Sequence, residues 1–326
     1  MADHEDRFFV ANGTPAESSA GATANAAGKV ILLGEHFAVH RGAAIAMPVL
    51  TRSLSIRVTP GHARVRIANR GAVSGEALER AVRAMLSELA SQRALLKWSP
   101  DAVDVELSGD LPIAAGLGGS ASLAAALVRA LGAPPSEVPV LVHRLEHLAH
   151  GRPSGVDGAV VSLELPVWFE DGEVTPLACD PAWLATHPWW IAIVPREGST
   201  REAVARVAAH KDANPGAFFA ALTASDDDVR ALGWLLEAPP DDEVLRVIGR
   251  LFDAAHARLA AFGVSSPALE RLVQAARDAG AYGAKLTGAG LGGAVIATAP
   301  AGLDLAPALY SAGAIDVIAP RAMGNE

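Results

Sequence analysis

The chain has 326 residues, of which 51% are apolar and 19% are charged, so it can bury a sizeable core and is long enough for two domains. A formal net charge of −9 argues against a general binder of nucleic acid or of anionic membranes, and an anionic substrate would need a local basic site. The single cysteine, Cys179, excludes a disulfide framework and favours a reducing cytoplasm.

The N-terminal residues do not resemble a signal peptide. Residues 1–7 carry charges of both signs, and no long apolar segment follows them. Residues 12–26 are rich in Ala, Gly, Ser and Thr, so we expect residues 1–26 to be a flexible lead-in. No run of about twenty apolar residues free of charges and of Pro or Gly predicts a transmembrane helix.

The chain up to residue 107 predicts five short strands and one helix. Apolar, β-branched runs and alternation of apolar with polar residues indicate the strands, which we expect at residues 28–33, 43–49, 54–58, 63–67 and 103–107. Residues 75–92 place Leu, Val and Met at helical spacing, which predicts an amphipathic helix.

A glycine-rich turn follows at residues 116–120 and leads into a helix that carries no charge before Arg129. Glycines let an anion come close to the backbone, and a helix N-terminus offers unpaired N–H groups and a favourable dipole. The turn is therefore a candidate phosphate cradle. A plain tight turn before a core helix explains it equally well, and its spacing matches neither G-x-x-x-x-G-K-[ST] nor G-x-G-x-x-G.

Residues 136–148 predict a further amphipathic helix, with Ser136 as its N-cap. Glu146 lies beside the apolar stripe of that helix rather than opposite it. Residues 166–177 predict a hairpin that turns at Asp171-Gly172.

The second half of the chain predicts four long helices and several short strands. We expect the helices at residues 199–209, 217–236, 243–262 and 267–279, and the strands at residues 189–194, 284–287, 294–297 and 315–318. The mixture indicates an α+β fold with two domains, at residues 27–180 and 181–326.

Four groups of polar and glycine residues each follow an apolar run. They are Lys29 with Glu35-His36, residues 116–120, residues 146–157, and residues 285–293. Four such groups at strand or helix ends are less expected by chance than one, so together they are the candidate site.

In this order the groups resemble the sequence motifs of the GHMP kinases. Residues 28–36 are similar to the family's first motif, residues 112–121 to its P-x-x-x-G-L-G-S-S-A motif, and residues 285–290 to its third motif. Residues 150–157 are similar to the aspartate motif of the members that phosphorylate mevalonate. The resemblance implies the α+β, two-domain GHMP kinase fold, with the active site in the cleft between the domains.

The resemblance implies that Asp157 is the general base that takes the proton from the acceptor hydroxyl, and that Lys29 lies beside it. Such a base contributes roughly 10²–10⁴-fold to the rate. Lys29 would also stabilise negative charge on the transferring phosphoryl group. Taken alone, an Asp after Gly-Val is most often a turn or cap residue, and a Lys before a strand is usually a solvated surface residue.

ATP would bind the motif formed by Gly116, Leu117, Gly118, Gly119, Ser120 and Ala121. Ser120 and Glu146 would hold Mg²⁺, which prefers oxygen ligands and keeps several waters. Without the resemblance, Glu146 is read as a helix-surface glutamate. Gly288 and Gly290 would form a supporting loop that lets the second domain approach the phosphates, and they also fit a hairpin between two core strands.

The resemblance further implies ATP-dependent phosphorylation of the primary hydroxyl of mevalonate, giving phosphomevalonate and ADP. Glu35, His36 and Thr200 would face this substrate, although His36 also fits a hydrogen-bonded interior histidine. The remaining histidines show no recognisable metal-ligand spacing. We expect a cytoplasmic enzyme without nucleic-acid or membrane partners, and the resemblance suggests a homodimer.

Three departures from the family pattern are present, and the third bears on the substrate. Ala27 replaces the usual Pro, Gly119 replaces the first serine of G-L-G-S-S, and residues 162–166 replace a Ser-Thr-x-Gly-Gly turn. The last segment borders the acceptor pocket, so two alternatives stay open. One is a GHMP kinase acting on phosphomevalonate, a sugar or an amino-alcohol, and the other is a catalytically silent nucleotide-binding sensor.

Overall fold

The computed structural model describes residues 21–68, 75–150 and 154–321, with the side chains of residues 149 and 150 excepted. Gly151 and Pro153 of the aspartate motif therefore lie outside the described residues, as do residues 1–20. The described part contains two β-sheets, one built from strands before residue 177 and the other from strands after residue 189.

The first sheet has six strands. They are β1 (Ala22–Leu33), β2 (Ala44–Pro60), β3 (Val65–Ile67), β4 (Val103–Gly109), β5 (Val167–Glu170) and β6 (Glu173–Pro176). Strand β2 is long enough to pair with β1 along one side, and with β5 and β4 along the other. Strand β3 is parallel to β4, and β5 and β6 form the predicted hairpin.

Four helices accompany this sheet: α1 (Gly75–Ala90), α2 (Gly119–Ala130), α3 (Val138–His150) and α4 (Val156–Leu163). Helix α2 is almost entirely buried, as its uncharged sequence predicts, and it packs against β1 and α3. The nucleotide-binding candidates at its start therefore stand on a rigid core element.

The second sheet has four strands in the order β10-β7-β9-β8, all antiparallel. These are β7 (Trp190–Val194), β8 (Gly283–Thr287), β9 (Gly293–Thr298) and β10 (Asp316–Ile318). The helices of this half are α5 (Ala182–Thr186), α6 (Thr200–Ala213), α7 (Pro215–Leu236), α8 (Asp242–Ala261), α9 (Pro267–Asp278) and α10 (Ala306–Ser311).

Strand β7 shows how the core is shared between the two halves. Successive side chains of a strand point to opposite faces. Ile191 and Ile193 join a cluster that also contains residues of the first sheet, whereas Ala192 and Val194 join a second cluster with α6 and α9. Apolar packing therefore continues from one sheet to the other.

Most predicted elements are present within a few residues of their expected ends, but four differences have clear causes. The strands expected at residues 43–49 and 54–58 are one continuous strand, β2, because residues 50–53 stay extended where the pairing with β1 shifts register. Strand β1 begins at Ala22, inside the predicted lead-in, because Ala22 to Ala27 pair with β2. Helix α3 begins at Val138 after a short 3₁₀ turn over Pro135–Glu137, so Ser136 is not its N-cap. Helices α4, α5 and α10 were not predicted. The domain boundary near residue 180 stays a prediction.

None of the helices in the described ranges combines the length and the hydrophobicity needed to cross a bilayer.

Candidate active site

Lys29 and Asp157 lie together, although 128 positions separate them in the chain. The Lys29 Nζ is 2.9 Å from Asp157 Oδ1, and it also lies 3.4 Å from the carbonyl oxygen of Gly116. The lysine side chain is 3% exposed, whereas the Asp157 side chain is 36% exposed. The carboxylate is therefore the member of the pair that a substrate hydroxyl can reach.

The local backbone holds Lys29 against the glycine turn. The pairing of β1 with β2 shifts register between Ala27 and Gly28, an irregularity of the kind that re-aims a side chain. The Lys29 N–H then donates to the carbonyl oxygen of Leu117, at 3.0 Å. Gly118 lies against the lysine stem, since a Cβ at this position would be 2.7 Å from Lys29 Cγ.

The turn over residues 116–118 uses the left-handed conformation that glycine permits. Gly116 has a φ of +85° and Gly118 a φ of +74°, and Gly118 is the N-cap of α2. No side chain caps the start of this helix. Ser120 lies in its first turn and is partly exposed. The free N–H groups of α2 thus meet the requirements of an anion site.

Glu146 projects from α3 into the interior beside the Lys29–Asp157 pair. It is 3% exposed, and its Oε2 has no hydrogen-bond partner among the residues that the structure describes. Burial, followed by the negative charge of Asp157, raises the pKa of Glu146 to about 8, against the opposing effects of Lys29 and the Gly158 N–H. A buried carboxyl oxygen without a partner fits a metal ligand, since a bound cation would offset the cost of burying its charge.

The second sheet contributes its glycine loop to the same place. Gly288 has a φ of +81°, and a Cβ built on it would be 3.4 Å from the carbonyl oxygen of Gly116. Gly290 has a φ of +79°, and its Cβ would be only 2.1 Å from the carbonyl oxygen of Val264, so no other residue fits there. The supporting loop thus abuts the glycine turn of the other half, as the sequence resemblance implies.

Glu35 and His36 lie at the junction of the two sheets. Glu35 is buried and forms an ion pair with Lys285 of β8. The His36 Nε2 is 2.9 Å from the carbonyl oxygen of Ala289. Burial raises the pKa of Glu35 and lowers the pKa of His36. Both side chains thus have intramolecular partners here, and their predicted contact with substrate stays a prediction.

Arg196 is a site residue that the sequence analysis missed. It follows β7, and its Nε has no hydrogen-bond partner among the described residues, while its Nη1 donates to the Thr200 hydroxyl at 3.0 Å. Burial lowers the pKa of Arg196, and the negative charge of Asp157 opposes that change. The only signal in the sequence is its position directly after a buried strand and Pro195. Thr200 thus lies beside the site through Arg196, and its role stays a prediction.

Two family models and several relatives match this chain. The family model described as "GHMP kinases N terminal domain" matches residues 77–164, and the model described as "GHMP kinases C terminal" matches residues 243–312. A mevalonate kinase of Thermococcus sibiricus is 30% identical over 90% of this chain and 94% of its own. The chain belongs to the GHMP kinase family.

Other relatives of this GHMP kinase are also named mevalonate kinases. A mevalonate kinase of Thermococcus onnurineus is 31% identical over 85% of this chain and 89% of its own. For a mevalonate kinase of Pyrococcus horikoshii, 36% identical, the matched segment covers 66% of this chain and 65% of the relative. The predicted membership of the GHMP kinases and the predicted ATP-dependent kinase activity are therefore confirmed.

Solved structures resemble this GHMP kinase over nearly its whole length. The crystal structure of Leishmania major mevalonate kinase in complex with R-mevalonate superposes with a TM-score of 0.75, at 24% identity, over 94% of this chain and 99% of the other. The Methanococcus jannaschii mevalonate kinase gives a TM-score of 0.73 at 19% identity, over 95% of this chain and all of the other. The predicted α+β, two-domain fold is confirmed.

Proposed function

We propose that this GHMP kinase transfers the γ-phosphoryl group of ATP to the primary hydroxyl of mevalonate, giving phosphomevalonate and ADP. The observation that carries the proposal is the contact between Lys29 and Asp157 beside the glycine turn. The names of the relatives supply the acceptor, because those matched over most of their length are mevalonate kinases.

In this proposal Asp157 is the general base. Its partly exposed carboxylate accepts the hydroxyl proton as the hydroxyl oxygen attacks the γ-phosphorus. The bond between the γ-phosphorus and the β-phosphate oxygen breaks, ADP leaves, and the proton stays on Asp157. The Lys29 ammonium lies 2.9 Å from that carboxylate and stabilises the negative charge that develops around the transferring group. The buried position of its stem fixes the ammonium in place before substrate arrives.

ATP lies along residues 116–121, with its phosphates at the N-terminus of α2. We assign Mg²⁺ to Ser120 and Glu146, and the unpartnered Oε2 of Glu146 supports a cation there. When bound, the ion would neutralise part of the negative charge of the phosphates. The residues of this chain supply one hydroxyl and one carboxylate to it.

Arg196 supports an acceptor that carries a carboxylate. Its partly buried guanidinium lies near Asp157, and its Nε has no hydrogen-bond partner among the described residues. It can therefore pair with an acid group on the molecule whose hydroxyl faces Asp157. Mevalonate has both groups, whereas a neutral sugar leaves this cation without a partner. Glu35, His36 and Thr200 are retained as further substrate contacts within the proposal.

A coupled assay for ADP tests the proposal. We expect turnover with mevalonate, and little or none with phosphomevalonate, a hexose or an amino-alcohol. Turnover with a different acceptor only would make that acceptor the substrate instead of mevalonate. No turnover with any alcohol would favour a silent nucleotide-binding sensor.

Asp157→Asn should lower kcat by about 10²–10⁴-fold and leave nucleotide binding intact. The homodimer and the cytoplasmic location belong to the same proposal, and sedimentation and cell fractionation test them.

A further inference from the structure

Two histidines face one another on the exposed side of α3. His143 and His147 are four residues apart, so they lie above one another on one face of the helix. Their Nε2 atoms are 3.3 Å apart, and their ring planes are nearly perpendicular, at 85°. The ring centroids are 4.8 Å apart, so the two rings converge at their Nε2 edges. Both side chains are open to solvent.

This spacing matches the ligand spacing of a tetrahedral zinc ion. With Zn–N bonds of about 2.0–2.1 Å, two ligand atoms at a tetrahedral angle lie roughly 3.3–3.4 Å apart. A square-planar arrangement with bonds of that length would bring adjacent nitrogens closer, to roughly 2.8–3.0 Å. This pair, which the sequence did not single out as metal ligands, has the i and i+4 helical spacing with which H-E-x-x-H segments bind zinc.

We propose that His143 and His147 form a surface site for a zinc-type transition-metal ion, separate from the magnesium site of the kinase. Within the described ranges, no group of three or more His, Cys, Asp or Glu side chains is arranged to hold a metal. Of the described residues, these two would each give the ion one imidazole nitrogen, with water at its remaining positions. The two rings already touch, so little side-chain freedom is lost on binding.

The donor atoms separate this site from the magnesium site, although the two share a helix. Glu146 points into the buried side of α3 and offers oxygen, which Mg²⁺ prefers, whereas the histidine pair offers nitrogen. His143 also lies beside α4, since a Cβ built on Gly155 would be 3.8 Å from its Nδ1. An ion held here would brace α3 next to the N-cap of the helix that carries Asp157.

Zinc titration by calorimetry, in millimolar Mg²⁺ and without nucleotide, tests the proposal. The wild-type chain should take up one equivalent of Zn²⁺ at this site. His143→Gln and His147→Gln should each weaken that binding by roughly tenfold or more, because each removes one of two protein ligands. His62→Gln, at an exposed histidine after β2, is the matched control and should bind as the wild type does.

Absence of zinc uptake by the wild-type chain would overturn the proposal. So would equal uptake by the His143→Gln and His147→Gln variants, because the ion would then lie at the kinase carboxylates or elsewhere. Cobalt(II) gives a second readout on the unsubstituted chain. The expected visible absorption is the strong band of a four-coordinate ion with imidazole ligands, and the weak band of an ion held by water and carboxylates would contradict it.

Discussion

Two neighbouring carboxyl groups, Glu146 and Asp157, lie in different surroundings. Asp157 is partly exposed and contacts Lys29, whereas Glu146 is buried and forms no ion pair with any residue that the structure describes. Burial raises the pKa of Glu146 to about 8, so about nine tenths of this group is protonated at pH 7. Magnesium binds only the carboxylate form. At the proposed site, Mg²⁺ would therefore displace a proton from Glu146.

We predict that binding of Mg²⁺–ATP at pH 7 releases most of one proton from Glu146. Because the pKa is raised, the metal binds more tightly as the pH rises toward and through that value. Calorimetry in two buffers of different ionisation enthalpy measures the release. Glu146→Gln should abolish it, whereas Glu79→Gln, at an exposed ion pair of α1, should leave it unchanged. Release that persists in Glu146→Gln would assign the proton to another group.

Gly118 allows a test of how tightly Lys29 must be held. Gly118→Ala places a Cβ 2.7 Å from Lys29 Cγ in a left-handed conformation. Gly263→Ala meets nothing within 4 Å at almost the same φ, +72°, and so reports the backbone strain alone, about 1–2 kcal/mol. We predict a larger loss of stability for Gly118→Ala, which adds a clash to the strain, and a fall in kcat of about 10²-fold or more for that variant only. Equal kcat values in the two variants would show that Lys29 tolerates displacement.

At the scale of elements, Arg129 joins α2 to the end of α4. Its Nη1 donates to the Glu164 carboxylate and to the Asn25 carbonyl oxygen, each at 2.7 Å. Its Nη2 donates to the carbonyl oxygens of Val161 and Ser162, at 2.9 and 3.0 Å. The last two belong to the C-terminal turn of α4, whose first turn carries Asp157. Arg129 therefore fixes the helix that carries Asp157 against the helix that follows the glycine turn.

We predict that Arg129→Lys lowers the free energy of unfolding by about 1–3 kcal/mol, because lysine cannot form the four bonds of the guanidinium fork. It should also lower kcat more than the affinity for ATP. Urea denaturation and steady-state kinetics measure the two effects. Arg80→Lys, at an exposed pair with Glu76, is the control and should change stability by less than about 0.5 kcal/mol. An unaltered kcat in Arg129→Lys would leave α4 positioned by its apolar contacts alone.

The same elements show what the sequence could and could not predict. Helix α9 was predicted closely because Ser266 caps it, Pro267 starts it, and its apolar residues recur at helical spacing. Helix α4 was missed because its eight residues are rich in valine and contain glycine, which are poor helix formers. Tertiary packing and the left-handed Gly155 at its start make it helical. The helix propensities of the residues predict neither the tertiary packing nor the left-handed conformation of Gly155.

Some contacts of the candidate site could be predicted from the sequence, and others could not. The motif order implied that Lys29 and Asp157 meet, and the structure brings them into contact. Arg196 belongs to no motif, and its approach to Asp157 depends on how the end of β7 is placed beside α4. Nor could the sequence show that Glu35 has Lys285 as a partner, because 250 positions separate them. Sequence patterns do not predict the contacts between the two sheets.

On the scale of the whole molecule, a short line of polar contacts joins β1 and its following turn to β8. The Thr287 hydroxyl donates to the carbonyl oxygen of Ile31 at 2.9 Å and accepts from its N–H at 3.2 Å. The ion pair of Glu35 with Lys285 lies beside these bonds, with the Lys285 ammonium over the ring of Phe252. Both charges are almost fully buried, so each depends on the other for its solvation.

We predict that Lys285→Met lowers the free energy of unfolding by about 3–5 kcal/mol, because Glu35 is left buried without its partner. Burial already raises the pKa of Glu35, and removing Lys285 raises it further. The lost stability should therefore be smaller in mildly acidic buffer, where Glu35 is neutral, and should grow as the pH rises.

The double variant Glu35→Gln with Lys285→Met should recover much of the loss. Urea denaturation measures each variant, with Arg41→Met at the exposed pair with Asp171 as a control that costs less than about 1 kcal/mol. A double variant less stable than Lys285→Met would mean that the Glu35 carboxyl has another buried partner, and the ion pair would then not be what fastens the two sheets.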